Sequence, residues 1–208
     1  VGLSEATLYN YRVCSRDTVG NQGCSANATF STTDDTPPVI SGVTVSAITG
    51  SGATFNWTTN ENATSVVEYG LLAGPPYGFT NTNPVMVTSH SVSIVGLSSN
   101  TLYNYRVRSA DASGNESFTV NATFTTLDAV PPVISQLQVV AITTTSATVT
   151  WVTNENADSR VDYGLTQAYG LSQSVAAFVT SHSIVLSGLT PTQEYNFRVT
   201  TKDVATNA

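Results

Sequence analysis

The chain has 208 residues, seven of them basic and fourteen acidic, for a net charge of −7, and only 10% of its positions are charged. That length accommodates one large domain or two ordinary ones, and an apolar content of 40% suffices for packed cores. The acidic balance argues against nucleic acid and anionic membranes, which need a basic surface that releases counterions, and no run of about 18 apolar residues is present to insert into a bilayer.

Taken in order, the chain opens on VGLSEATLYNYRV, without a Met, a basic leader or an apolar leader core, and so looks like a piece of something longer. CSRDTVGNQGC (14–24) then reads as a hairpin with one thiol on each arm. Cys14 and Cys24 facing each other suggest a disulfide worth about 2–3 kcal/mol in so short a loop, with two free thiols as the alternative. This pair lacks the further Cys or His that zinc would need. TTDDTPPV (32–39) follows as a junction whose two prolines leave few free torsions, a semi-rigid spacer.

Seven strand-like runs come next, near 39–48, 52–59, 64–70, 77–87, 88–96, 103–110 and 118–126. Thr and Val richness with Gly, Asn and Pro punctuation favours strands, and no segment keeps a helical apolar period. Phe55 and Trp57 alternate with polar neighbours and should share a buried face, as should Tyr103, Tyr105 and Val107, leaving Arg106 and Arg108 to water. An indole that buries roughly 200 Å² contributes on the order of 5 kcal/mol before entropy. Trp57 is therefore expected to be a core residue.

The chain then repeats itself. WTTNENATSVVEYG at 57 returns as WVTNENADSRVDYG at 151, and TPPVISGVTVSAIT at 36 returns as VPPVISQLQVVAIT at 130. VGLSEATLYNYRV at 1 returns at 95 and, as SGLTPTQEYNFRV, at 187. Residues 34–127 thus form one full repeat, 1–33 the last two strands of an earlier one, and 128–208 a later one without its last strand. The fold class expected is all-β, tandem sandwiches of about 100 residues each. The open strand sets at the two ends would be completed by unlisted stretches of a longer chain or by another copy through strand complementation.

LSSNTLYNYRV (97–107) and LTPTQEYNFRV (189–199) resemble the fibronectin type III pattern: Leu, a turn, a Tyr six residues on, and an alternating run to Val. VVEYG and RVDYG resemble its third strand, and the tryptophans fall on its second. The resemblance covers the whole chain and is similar in particular to tandem repeats of large bacterial secreted proteins and to the N-terminal domain of purple acid phosphatases. It implies immunoglobulin-like sandwiches in an extended rod, with Tyr9, Tyr103 and Tyr195 bonding backbone upstream through their hydroxyls. With the disulfide, it implies an extracellular or cell-surface location.

The resemblance also implies that the second-to-third and sixth-to-seventh strand loops meet where the chain enters each sandwich. Asp34, Glu61 and Asp111, and again Asp128, Glu155 and Asp203, would then converge. Such carboxylates repel unless a cation bridges them, and calcium, helped by Asn62 or Asn115, is the ion suited to oxygen ligands. The competing reading makes Asp111 and Asn115 turn residues that cap their own backbone.

His90 and His182 have no metal or catalytic partner at a useful spacing and read as surface residues at a strand edge. No nucleophile elbow, phosphate loop or HExxH is present, so an enzyme is not expected. LLAGPPYGFTNTN (71–83) offers Tyr77 and Phe79 as exposed aromatics for a surface glycan or protein ligand. Among five N-x-[ST] sequons, Asn27 and Asn121 are the best glycan acceptors. Function is thus expected to be mechanical, as a stiff spacer, filament or adhesin stalk, with accessory or carbohydrate-binding modules of a secreted hydrolase as the alternative.

Overall fold

A computed structural model describes residues 2–208. The chain divides into two compact units, one running through Leu127 and the other from Asp128. Among the described residues every regular element is a strand.

The first unit opens with β1 (Leu8–Tyr11), β2 (Cys14–Arg16), β3 (Gln22–Cys24) and β4 (Ala28–Ser31). β1 pairs antiparallel with β4, and β2 with β3, where Cys14 lies opposite Cys24 and the two are joined by a disulfide. The β1–β4 register sets Tyr9 against Phe30 and Tyr11 against Ala28. The complete repeat uses the same register for Tyr103 against Phe124 and Tyr105 against Ala122. Yet Tyr11 is 47% exposed and Tyr105 only 7%, because among the described residues no second sheet covers the face that β1 and β4 present.

The complete repeat follows, with β5 (Ile40–Ser46), β6 (Gly52–Gly70), β7 (Phe79–Val95), β8 (Leu102–Ala110), β9 (Glu116–Phe118) and β10 (Ala122–Thr125). Two pairs of runs that read as separate strands in the sequence are continuous here: 52–59 with 64–70, and 77–87 with 88–96. The first half of β6 pairs with β5 and the end of β7, its second half with the start of β7 and with β8. One strand therefore feeds both layers of the sandwich. The switch falls where Thr58 pairs with Ser89 and Ala63 with Val87, so that residues 59–62 face Thr88 alone. Such a bulge bends the strand and leaves its extra residues outside the ladder.

The sandwich closes over Phe55, Trp57, Val67, Tyr103, Tyr105, Val107 and Phe124. Trp57 is 2% exposed, the Phe55 ring meets Tyr105 and Phe124 edge-on, and these geometries add to area burial. The polar side of β8 is less wet than alternation alone suggests. Asn104 is buried, donating to the Leu71 carbonyl and accepting from Asn121, and Arg106 is half-covered and paired with Glu68.

The second unit repeats the plan with β11 (Ile134–Val140), β12 (Ser146–Gly164), β13 (Leu171–Ser187) and β14 (Asn196–Thr200). β12 carries the same bulge, with Val152 opposite Ser181 and Ala157 opposite Val179. Its core gathers Val149, Trp151, Val161, Tyr163, Ile184 and Leu186. In all three copies the corner tyrosine closes its turn: the hydroxyls of Tyr9, Tyr103 and Tyr195 accept the amides of Ser4, Ser98 and Thr190 at 2.8, 3.0 and 3.0 Å.

Candidate functional site

The bulge residues Thr59-Asn60-Glu61-Asn62 form the head of the complete repeat. Asn60 Oδ1 accepts the Val39 amide at 2.6 Å, which ties the incoming chain to the bulge. The turn between β8 and β9 ties it from the other side: Asn115 Nδ2 donates to the Asp34 carbonyl at 2.9 Å and the Ser117 hydroxyl to the Pro38 carbonyl. Asn154, accepting from Val133 at 2.6 Å, and Asn207, donating to the Asp128 carbonyl at 3.3 Å, do the same in the second unit.

This stitching brings three carboxylates together in each unit. Oxygens of Asp34, Glu61 and Asp111 lie within 4.8 Å of one another, and so do those of Asp128, Glu155 and Asp203. Asp111 is buried. Desolvation pushes its carboxyl up, but hydrogen bonds from the Asn115 side chain and amide and from Ser113 and Gly114 outweigh it and hold it below the ordinary carboxylate value. Glu61 is displaced the other way, by desolvation first and then by the charges of Asp34, Asp111 and Glu5. Glu155 is raised by desolvation, Asp128 and Asp203.

The turn-capping role of Asp111 and its place beside the other two carboxylates are compatible. Asp111 caps its own turn through Asn115 and still offers an oxygen to the cluster. Three hard oxygen donors at this spacing suit a divalent cation of the calcium type. Glu5 is a fourth carboxylate that the sequence reading passed over. It accepts from the Asp35 amide at 3.3 Å and from the Thr36 hydroxyl. Its signal was position alone, since Ser99 stands at the corresponding place of the next corner.

The two histidines are not on the surface. His90 and His182 are each 2% exposed and lie flat against the tryptophans, with ring centroids 4.9 Å apart and planes inclined by 6° and 2°. His90 Nε2 is 2.8 Å from Thr59 Oγ1 and Nδ1 is 2.7 Å from Ser65 Oγ. The Thr59 hydroxyl donates to the Glu61 carbonyl at 2.6 Å, so it can only accept from the ring. This assigns a proton to Nε2; in the neutral ring, which burial favours, Ser65 then donates to Nδ1. Thr153, Ser159 and the Glu155 carbonyl repeat this around His182. Burial holds both rings below their ordinary pKa, with Asp158 partly opposing it at His182.

A Ser–His pair at 2.7 Å has the spacing of an activated nucleophile. Ser65 and Ser159 are themselves buried, at 1% and 3% exposure. Period-two alternation is compatible with the burial of His90, which is in phase with buried Val92 and Ile94; its polar side chain, read without the Thr59 and Ser65 partners, suggested the surface instead.

The loop aromatics part company. Phe79 is 59% exposed and stacked on Tyr69. Tyr77, expected in solvent, is only 6% exposed: its backbone packs on Gly70, where a Cβ would lie 1.5 Å from the Tyr77 carbonyl oxygen, and Arg106 covers its ring. Asn27 is exposed between β3 and β4, whereas the Asn121 amide is engaged with Asn104.

Paired sheets sharing one long bulged strand, a corner tyrosine and a core tryptophan define fibronectin type III-like modules in tandem. The chain belongs to the family described as the purple acid phosphatase N-terminal domain, which matches residues 40–126 and 132–207. It is 33% identical to endoglucanase B of Cellulomonas fimi over 99% of this chain and 21% of that protein. It is 32% identical to exoglucanase B of the same species over 85% of this chain and 16% of that one. Chitinase A1 of Niallia circulans is 32% identical over 58% of this chain and 18% of its own length. The chain thus spans about a fifth or less of each of these relatives.

Proposed function

We propose that this chain is a non-catalytic, extracellular spacer within a larger secreted protein, its repeats braced by calcium at the two carboxylate triads. The observation that carries the reading is the repeated stitching of the incoming chain to the bulge and to the β8–β9 turn, with the triad beside it. The disulfide supports an oxidising compartment. A cation shared by three carboxylates would offset the desolvation and, after it, the neighbouring charge that raise Glu61 and Glu155.

The relatives favour one version of this role, an accessory segment of a polysaccharide hydrolase, over a filament or adhesin stalk. Three of them are named for glucan or chitin hydrolysis, and this chain matches only a minor share of each. The buried Ser–His pairs leave the catalytic work to other parts of such a protein.

Residual dipolar couplings on the 208-residue chain test the spacer. One alignment tensor should fit residues 34–127 and 128–208 together in calcium, and two separate tensors should be needed in chelator. Two independent tensors in both conditions would overturn it.

A further inference from the structure

The two units differ along a free sheet edge. β7 pairs only with β6, and β13 only with β12, so the far side of each is unpartnered among the described residues. Both strands carry a bulge there: Pro84, Val85 and Met86 stand opposite Thr64 alone, and Ala176, Ala177 and Phe178 opposite Asp158 alone. The first unit shields this stretch twice. Pro84 has no amide to offer, and Asn83 Oδ1 accepts the Val85 amide at 3.1 Å. The second unit has Val175, Ala176 and Ala177 at these places, so an amide returns at 176 and the acceptor that capped the next one is gone. Val175, Phe178 and Val179 are exposed beside them. An edge without proline, charge or cap is a template for a further strand.

We propose that the middle of β13, residues 174–180, pairs antiparallel with the same stretch of a second copy of this chain, giving a two-fold symmetric dimer by sheet extension. The stretch is self-complementary about Ala177. With the axis there, Val175 faces Val179, Ala176 faces Phe178 and Ser174 faces Thr180 of the other copy. Branched apolar side chains thus meet each other, the one ring meets a methyl group, and hydroxyl meets hydroxyl, which are cross-strand pairs that stabilise a ladder. Residues 171–187 contain no Asp, Glu, Lys or Arg, so self-pairing sets no like charges opposite one another. Backbone bonding alone would accept any strand; the symmetric side-chain match is what singles out a second copy.

The first unit supplies an internal control. Its corresponding axis falls at Val85, whose amide Asn83 already holds, and Pro84 would face Met86 with a ladder bond missing. The bulge is the same, and residues 79–95 also lack Asp, Glu, Lys and Arg, so neither feature explains the difference. Pairing is therefore assigned to the second unit alone. One such edge per chain closes into pairs and does not propagate into fibres. The inference rests on neither calcium nor the spacer reading.

Sedimentation equilibrium on the 208-residue chain provides the test. A reversible monomer–dimer equilibrium should appear below about 1 mM, as suits a small interface. Ala176→Pro and Val175→Asn each copy a residue with which the first unit folds, and each should weaken the dimer about tenfold or more. Val175→Asn changes only an exposed side chain, so its effect is read in a folded protein even where Ala176→Pro disturbs the strand. In a mixture of isotope-labelled and unlabelled chains, filtered NOEs should join Val175 of one copy to Val179 of the other. A chain still monomeric at the highest of these concentrations, a dimer whose affinity survives both substitutions, or a dimer without the Val175–Val179 contact would each overturn the proposal.

Discussion

The two units share a head and differ in what lies beneath it. Both stack a histidine on a tryptophan at 4.9 Å, both ring it with one Thr and one Ser hydroxyl, and both gather three carboxylates within 4.8 Å. Below that level they diverge. The Trp57 indole donates to Ser109 at 3.0 Å, whereas the Trp151 indole has no partner, and neither has the hydroxyl of Thr201 at the Ser109 position. The first unit fills its centre with Phe55, Tyr105 and Phe124, while the second has Val149 and Phe197 and no described strand in the place of β10. In the first unit β9 continues the ladder past Ser109 by pairing Ala110 with Glu116, and β14 stops at Thr200. A module that changes its core while keeping its head is using the head.

The largest way to break the comparison is to remove an indole. Trp57→Ala should cost about 3–5 kcal/mol, because a cavity, a lost ring stack and an unpaired Ser109 hydroxyl come together. Calorimetry should then show the first unit melting well before the second, the reverse of the wild-type order that its larger core predicts.

A smaller change sharpens the difference between the indoles. Ser109→Ala strands the buried Trp57 N–H and should destabilise the first unit by about 1–3 kcal/mol. Thr201→Ser should rejoin the pair in the second unit and stabilise it by about 0.5–1.5 kcal/mol. Chemical denaturation followed by Trp fluorescence in the single-indole backgrounds Trp57→Phe and Trp151→Phe separates the two effects.

The smallest effect is one of pH and should treat both units alike. Each histidine is held below its ordinary value of 6.5 by burial. Below that pH the unfolded chain binds a proton that the folded unit refuses, so stability is complete above about pH 6.5 and declines as the pH falls toward the folded pKa. Glu61 and Glu155, raised by desolvation first and by neighbouring carboxylates second, work in the opposite sense nearer 4.5, where protonation favours the folded state. Melting temperature against pH should fall between 7 and 5.5, and His90→Gln should remove the slope from the first unit only.

How far the sequence could be read varies with the physics involved. Repetition and period-two alternation exposed the sandwich, the core place of Trp57 and, through the corner pattern, the bonds of Tyr103. The convergence of Asp34, Glu61 and Asp111 was legible only through the fibronectin type III pattern, since it joins residues from three distant segments. His90 was not legible. Its phase matches buried Val92 and Ile94, but nothing local in the sequence pairs the ring with the Thr59 and Ser65 hydroxyls of another strand that let an imidazole be buried. Tyr77 was missed for a related reason, because its burial depends on the missing Cβ of Gly70 on a neighbouring strand.

The central structural claim is that each unit holds its histidine buried in the head, stacked on the core tryptophan. The ¹⁵N resonances of the imidazole rings test it most directly. Both rings should show the neutral form with the proton on Nε2, unchanged between pH 8 and the onset of unfolding, and that proton should exchange slowly with solvent. Rings that titrate near 6.5 and exchange freely would place His90 and His182 in water and contradict the account.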